Sequence, residues 1–194
     1  FFNDIALALA GQTKGGPAKV AVVASGFLGS INGAAVANVV TTGAFTIPMM
    51  KRVGYKPVFA GAVESSASVG GQILPPIMGA AAFIMAETLG MPYKEVAIAA
   101  LVPALLYYLG VIAQVHLRAT RQGLKGISRD NLPAVTEVLK ERGHLTIPLI
   151  FLVYMLFFTG RTILFSAFLT IIVTLVVAQL RKTTRMSIME ILDS

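Results

Sequence analysis

The sequence predicts an all-α polytopic membrane protein built around a re-entrant helical hairpin and a discontinuous transmembrane helix. Three observations carry that expectation. Of 194 residues, 56% are hydrophobic and the mean hydropathy is +0.78, whereas roughly half apolar usage is already the norm for soluble domains. Only 13% are charged, in short clusters that border long uncharged runs. Two helical stretches within the first ninety residues are broken in the middle, at Ser30-Ile31-Asn32-Gly33 and between Val69 and Pro76.

The formal net charge of +7 does not mark a nucleic-acid binder, because the cations form no single face with interleaved aromatics. They fall at Lys51, Arg52 and Lys56, at Arg118, Arg121, Lys125 and Arg129, and at Arg181, Lys182 and Arg185. Each cluster borders an apolar run, the signature of short cytoplasmic loops. With no cysteine, disulfides and thiolate metal sites are excluded. His116 and His144 both lie beside basic or interfacial stretches and read as membrane-surface side chains. The chain opens on Phe1-Phe2-Asn3-Asp4 and stops within a helical pattern at Ser194, so both ends read as cuts in a longer polypeptide.

Crossing roughly 30 Å of hydrocarbon takes about 20 apolar residues. Val96 to Val115 and Thr162 to Leu180 qualify, and Leu145 to Thr159 is a shorter candidate. The tight Gly160-Arg161 turn predicts a transmembrane helical hairpin over 145–181, following a transmembrane helix over 91–117. Pro17 to Leu28 spans only about 18 Å as a helix and is followed, after the Ser30–Gly33 interruption, by Ala34 to Met50. Cations flank both ends of this pair, Lys14 and Lys19 before it and Lys51 and Arg52 after it. Two part-depth helices that begin and end on one side make a re-entrant hairpin, 17–50.

Pro57 to Ser68 is apolar and helical, and Ile77 to Thr88 resumes after the break. Gly70-Gly71 is unfavourable inside a helix, and Pro75-Pro76 removes two donors. A broken helix over 57–88 follows, so residues 1–90 read as one transport-domain part. Residues 118–144 read as a cytoplasmic loop whose later part is an amphipathic helix, with Leu132, Val135, Val138 and Leu139 opposite Glu137, Lys140, Glu141 and Arg142. Residues 182–194 read as the truncated start of a further helix.

Irregular backbone survives at membrane depth only where protein buries it or a cavity adjoins it. Helix ends at such breaks suit solutes: half-helix N-termini favour carboxylates, and freed carbonyls favour Na⁺. The candidate site residues are therefore Ser30, Ile31, Asn32 and Gly33 at the first break, and Ser68, Gly70, Gly71 and Gln72 at the second. Asn38, Thr41 and Thr42 follow on the second hairpin helix, and Glu64 is the one acidic residue well inside an apolar helix. An intramembrane acid reads as a proton or cation partner, or as half of a structural pair with a nearby Lys or Asn. The bland alternative for the breaks is tight turns that pack small residues between helices. No Ser-His-acid set can be assembled, and Gly11 to Pro17 lacks the Gly-Lys-Ser/Thr ending of a phosphate loop, so no enzyme is expected.

The stretch Gly29 to Tyr55, GSINGAAVANVVTTGAFTIPMMKRVGY, and the stretch Ala60 to Pro76, AGAVESSASVGGQILPP, resemble one family. They are similar to the large, DctM-like membrane subunit of tripartite ATP-independent periplasmic (TRAP) transporters, most of all the fused permeases of the TAXI type. The resemblance implies an elevator-type, Na⁺-driven symporter of the inner membrane. It would import small organic acids handed over by a periplasmic substrate-binding protein, beside a small membrane subunit that can be fused in the parent chain. Hairpin and broken helix would belong to the moving domain, with Na⁺ near Ser30, Asn32, Gly33 and Gly70 and no other cofactor. Pro75 and Pro76 match the end of the family's unwound stretch, and Ala34 stands where a second small polar tip residue is common. The family has a second, inverted half, and no such pair follows residue 90 here, so this fragment would hold half of the repeat. The alternatives are an ion-coupled elevator carboxylate carrier without a binding protein, and a membrane scaffold that does not transport.

Overall fold

The computed structural model describes residues 2–124, 126–128, 132, 136, 138, 140 and 143–179. All regular structure among them is helical, in two compact units, Phe1–Val135 and Thr136–Ser194.

Among the described residues of the first unit lie six helices: α1 (Phe2–Ala10), α2 (Gly16–Asn32), α3 (Ala35–Arg52), α4 (Pro57–Gly70), α5 (Ala80–Leu89) and α6 (Tyr93–Arg121). Helix α2 is its axis, in contact with α1, α3, α4 and α6. Its sequence is mostly Ala, Gly, Val and Ser, and small side chains let neighbouring backbones approach closely. Pro17 opens α2 and Pro57 opens α4, positions where a missing N–H costs nothing. The shared core joins Ala18, Ala21 and Val22 of α2 to Met50, Ala60, Val63 and Ala67, closed by Tyr108, Val115 and Ala119 of α6. At one edge of this core Lys19 Nζ lies 3.1 Å from His116 Nδ1, an exposed contact between α2 and α6.

Helix α6 is 29 residues, about 44 Å, and alone among the described helices is long and apolar enough to cross a membrane. Large apolar side chains including Leu101, Val102, Leu105, Leu106 and Leu109 are exposed along it. Helix α5 is apolar but shorter. It packs on α6, where Phe83 stacks on Tyr93 with ring centroids 4.6 Å apart.

The second unit holds a 3₁₀ turn (Gly143–Thr146), α7 (Ile147–Phe158) and α8 (Ile163–Gln179). The two helices pack on each other and on the turn, and Gly160 takes φ 63° in their connection. The expected amphipathic helix in the later part of 118–144 falls on residues most of which lie outside those described, and 182–194 lie wholly outside them.

Three boundaries differ from the sequence reading. Helix α2 runs through Ser30, Ile31 and Asn32, so the first interruption is only Gly33-Ala34. Nothing at 30–32 breaks a helix; Gly33 does, with φ 63° and its N–H on the Gly29 carbonyl. The second interruption runs longer, 71–79, because Met78 also takes a positive φ of 59° after the two prolines. Helix α1 was not foreseen. Its buried Ala6 and Ala10 pack with Val20 and Ala24 of α2, a partner supplied by tertiary structure.

Candidate functional site: two helix breaks above a buried carboxylate

The two interruptions touch through their main chains. The Ser30 carbonyl accepts from the amides of Ile77 at 3.0 Å and Met78 at 3.2 Å. A Cβ on Gly71 would lie 2.6 Å from Gly29 Cα, so nothing larger than hydrogen fits between these strands of backbone. A Cβ on Gly33 would run into the Met78 carbonyl oxygen. The long interruption is tied internally, with Gly79 N donating to Gln72 O at 2.8 Å and Ile73 N to Gly70 O at 3.2 Å. At the short one, Asn32 Oδ1 accepts from Ala34 N at 3.1 Å, which closes the turn into α3.

Tyrosines of α6 hold carbonyls on both sides of the second break. Beyond Gly70 the chain leaves the α-helix: the Gly71 amide turns to Ser68 O at 3.3 Å, and Val69 O and Gly70 O accept from Gln72 N and Ile73 N at 3.1 and 3.2 Å. Tyr108 Oη donates to Ala67 O at 2.7 Å and Tyr107 Oη to Ser66 O at 2.9 Å. Tyr93 Oη reaches the far side of the break, at 2.9 Å from Pro76 O and 2.5 Å from Ile77 O. The rings pack where side chains are missing: Cβ atoms on Gly70 and Gly26 would lie 3.0 Å and 3.2 Å from the Tyr108 ring.

Below the breaks, Glu64 of α4 is fully buried. Its Oε1 accepts from Ser25 Oγ of α2 at 2.6 Å, from Thr42 Oγ1 of α3, and from Ser68 Oγ one turn along α4 at 3.2 Å. Its Oε2 accepts from Thr46 Oγ1 of α3. Ser25 Oγ and Thr42 Oγ1 are themselves 2.9 Å apart. Asn38 completes the cluster: Nδ2 donates to Ser25 O at 2.8 Å, while its buried Oδ1 has no partner. An isolated carboxylate in a low-dielectric interior costs several kcal/mol, and each hydrogen bond to a charged group returns about 1.5–3 kcal/mol. The arrangement therefore supports the acid with neutral hydroxyls; no Lys, Arg or His hydrogen-bonds it among the described residues.

The expected residues thus separate into two groups. Ser30, Gly33, Gly70, Gly71 and the Gln72 main chain meet at the breaks, where Ser30 Oγ turns back to Phe27 O at 2.9 Å. Asn38, Thr42, Glu64 and Ser68 form the buried cluster. Ile31 is half-buried, and the Asn32 and Gln72 side chains are exposed. Thr41 stands apart from both groups, exposed and bonded to Ala37 O at 2.8 Å, because one residue along a helix turns a side chain about 100° away from Thr42. The structural partner imagined for Glu64, a Lys or Asn, is a set of hydroxyls instead.

Sequence reasoning missed Ser25, Thr46 and the three tyrosines. For Thr46 a signal existed: Asn38, Thr42 and Thr46 recur every four residues, a polar stripe on one face of an otherwise apolar helix. Ser25 and the tyrosines carry no local mark. Among the described residues no group of three or more His, Cys, Asp or Glu gathers as a metal site.

The chain is 26% identical over 110 residues to a protein of Sinorhizobium fredii described as "Uncharacterized protein y4mL". That match covers 57% of this chain and 26% of the relative, so the chain spans much less than the length of the curated protein it resembles. The family described as "Tripartite ATP-independent periplasmic transporter, DctM component" matches residues 1–194, which is the whole chain. With two interrupted helices joined at their breaks and an apolar exterior, this chain belongs to the DctM family of TRAP transporter membrane components.

Proposed function

We propose that this chain is part of the transport core of a permease that imports small carboxylate-bearing solutes using a Na⁺ gradient. A periplasmic binding protein delivers the solute, and a small membrane subunit, separate or fused in the parent chain, completes the complex. The assembly sits in the cytoplasmic membrane of a bacterium or archaeon as a multi-pass protein.

The observation that carries this reading is the joining of the two breaks through the Ser30 carbonyl and the Gly29–Gly71 contact. Backbone of this kind is tolerated in a membrane when it is held by protein around a solute path. In the proposed mechanism α2–α3 forms a re-entrant hairpin and α4–α5 a discontinuous helix, which move together as one body of an elevator. Na⁺ binds near Ser30, Asn32, Gly33 and Gly70, and an inverted second half of the parent protein supplies the facing wall.

Uptake of a panel of small carboxylates into proteoliposomes holding the full-length parent tests the reading. Uptake that requires both an inward Na⁺ gradient and the binding protein is expected. Uptake indifferent to both would overturn it, and uptake needing the gradient alone would remove the binding protein.

A further inference from the structure

Each threonine that serves Glu64 also has a second acceptor within reach. Thr46 Oγ1 contacts Glu64 Oε2 and lies 3.0 Å from the Thr42 carbonyl, its own helix neighbour four residues back. Thr42 Oγ1 contacts Glu64 Oε1 and lies 2.7 Å from the Asn38 carbonyl. A hydroxyl has one proton and rotates freely about its C–O bond. When Glu64 is ionised, both hydroxyls point at the carboxylate, which can only accept. When Glu64 is protonated, its O–H on Oε2 donates to Thr46 Oγ1, whose own O–H turns to the Thr42 carbonyl. Both carboxyl oxygens and the two threonine hydroxyls are satisfied in both states, and no heavy atom has to move.

We propose that Glu64 is a proton-binding site of this protein, built to exist in both protonation states within the α2–α3–α4 core. The step is simple in its balance: one proton from the aqueous phase adds to Oε2, and the Thr46 O–H swings from Oε2 to the backbone. A buried structural acid needs one complete hydrogen-bond set; this one has two, both already in place.

The surroundings favour a proton over a metal cation. The hydroxyls close directly on the carboxylate, Ser25 at 2.6 Å, which leaves no gap for an ion between oxygens. From α2 and α3 the groups that hydrogen-bond Glu64 are hydroxyls, and the Asn38 amide bonds Ser25 O beside them. From α6 the titratable group within its electrostatic reach is Tyr108, whose hydroxyl is committed to Ala67 O. The site is also wired to the breaks. Ser68 bonds Oε1 two residues before Gly70, and the Asn38 amide abuts Gly29, where a Cβ would lie 2.8 Å from Nδ2. Loading or unloading the proton therefore changes the charge of a carboxyl group that hydrogen-bonds Ser68, one turn from the backbone that joins the two breaks. A role in coupling rests on the carrier reading; the binding of the proton does not.

Infrared difference spectroscopy of the full-length protein in lipid, stepped in pH without Na⁺, tests the site without any solute. A buried carboxylic-acid C=O band should grow as pH falls and vanish in Glu64→Gln. In Thr46→Val the ionised form loses a charge-assisted donor and the protonated form only a neutral acceptor, so the band should appear at a higher pH than in the parent. A band untouched by Glu64→Gln, or a Thr46→Val titration identical to the parent, overturns the proposal. So does a carboxylate signal that Glu64→Gln removes but that answers to Na⁺ at constant pH and not to pH, which would make the oxygens a cation cage. Failure of uptake in proteoliposomes would leave these spectra unchanged, so the two readings fall separately.

Discussion

Gly71 and Gly29 face each other at bare-backbone distance, 42 residues apart in the chain and on opposite interrupted helices. A side chain does not fit at Gly71, where even a methyl would sit 2.6 Å from Gly29 Cα and 2.7 Å from its carbonyl carbon, and a methyl on Gly29 would lie 3.0 Å from Gly71 Cα. The contact joins the turn at Gly33-Ala34 to the unwound 71–79 segment and makes them one structure.

Replacing Gly71 with Ala should separate the two breaks. The obstruction is main chain, which cannot swing aside as a side-chain end can, and overpacking of this kind costs about 1–3 kcal/mol. A fall of several degrees in the melting midpoint of the solubilised full-length protein is expected. An unchanged midpoint would show that the two backbones are not held together.

Gly33→Val should abolish coupled uptake while membrane insertion survives. A β-branched residue at φ 63° is strained, and its Cβ meets the Met78 carbonyl. Gly61→Ala is the control: nothing lies within 4 Å of the added methyl, and Ala within α4 should stabilise by about 0.5–1 kcal/mol. Wild-type uptake by Gly33→Val would remove the first break from the transport path.

Tyr108→Phe and Tyr107→Phe delete chemically identical hydroxyls, yet their effects should differ. The Tyr108 hydrogen bond to Ala67 O is buried, so its loss strands a carbonyl at a cost of about 1–3 kcal/mol. The Tyr107 bond to Ser66 O is exposed on this chain, and the effect there should be smaller wherever water can replace it. Thermal denaturation of both variants side by side decides this. Equal losses would mean that Ser66 is as sealed as Ala67.

Tyr55 offers a test with a pH signature. It lies in the turn after α3, is 3% exposed, and its buried hydroxyl has no hydrogen-bond partner among the described residues. Burial pushes the phenol above its ordinary value of 10.0. A folded-state value above the unfolded one contributes stability that is complete below pH 10 and is lost as pH rises through the folded value. Stability should therefore fall above about pH 10 in the parent and fall less in Tyr55→Phe. At neutral pH that variant should be as stable as the parent or more so, because an unsatisfied polar atom is gone. Marked destabilisation at neutral pH would reveal a partner for the hydroxyl.

The breaks were legible because their causes are local. Gly70-Gly71 and Pro75-Pro76 act on the turns in which they stand, and Gly33 ends α2 through its own φ. Ser30 and Asn32 looked irregular only because they are small and polar, and a helix accommodates them once its next glycine supplies the stop. Glu64 was conspicuous as a lone acid in an apolar helix, but its company was not. The Asn38–Thr42–Thr46 stripe shows which face of α3 is polar and leaves open what that face meets.

Sequence alone determined an apolar helical chain with two interruptions, because hydropathy and backbone chemistry are properties of short windows. Tertiary structure alone decided that the interruptions are one junction, that Ser25 and Thr46 attend Glu64, and that tyrosines from α6 hold the Ser66 and Ala67 carbonyls. Those facts depend on which helix faces lie together across tens of residues. Close packing of small side chains around α2 settles that, and no local pattern records it.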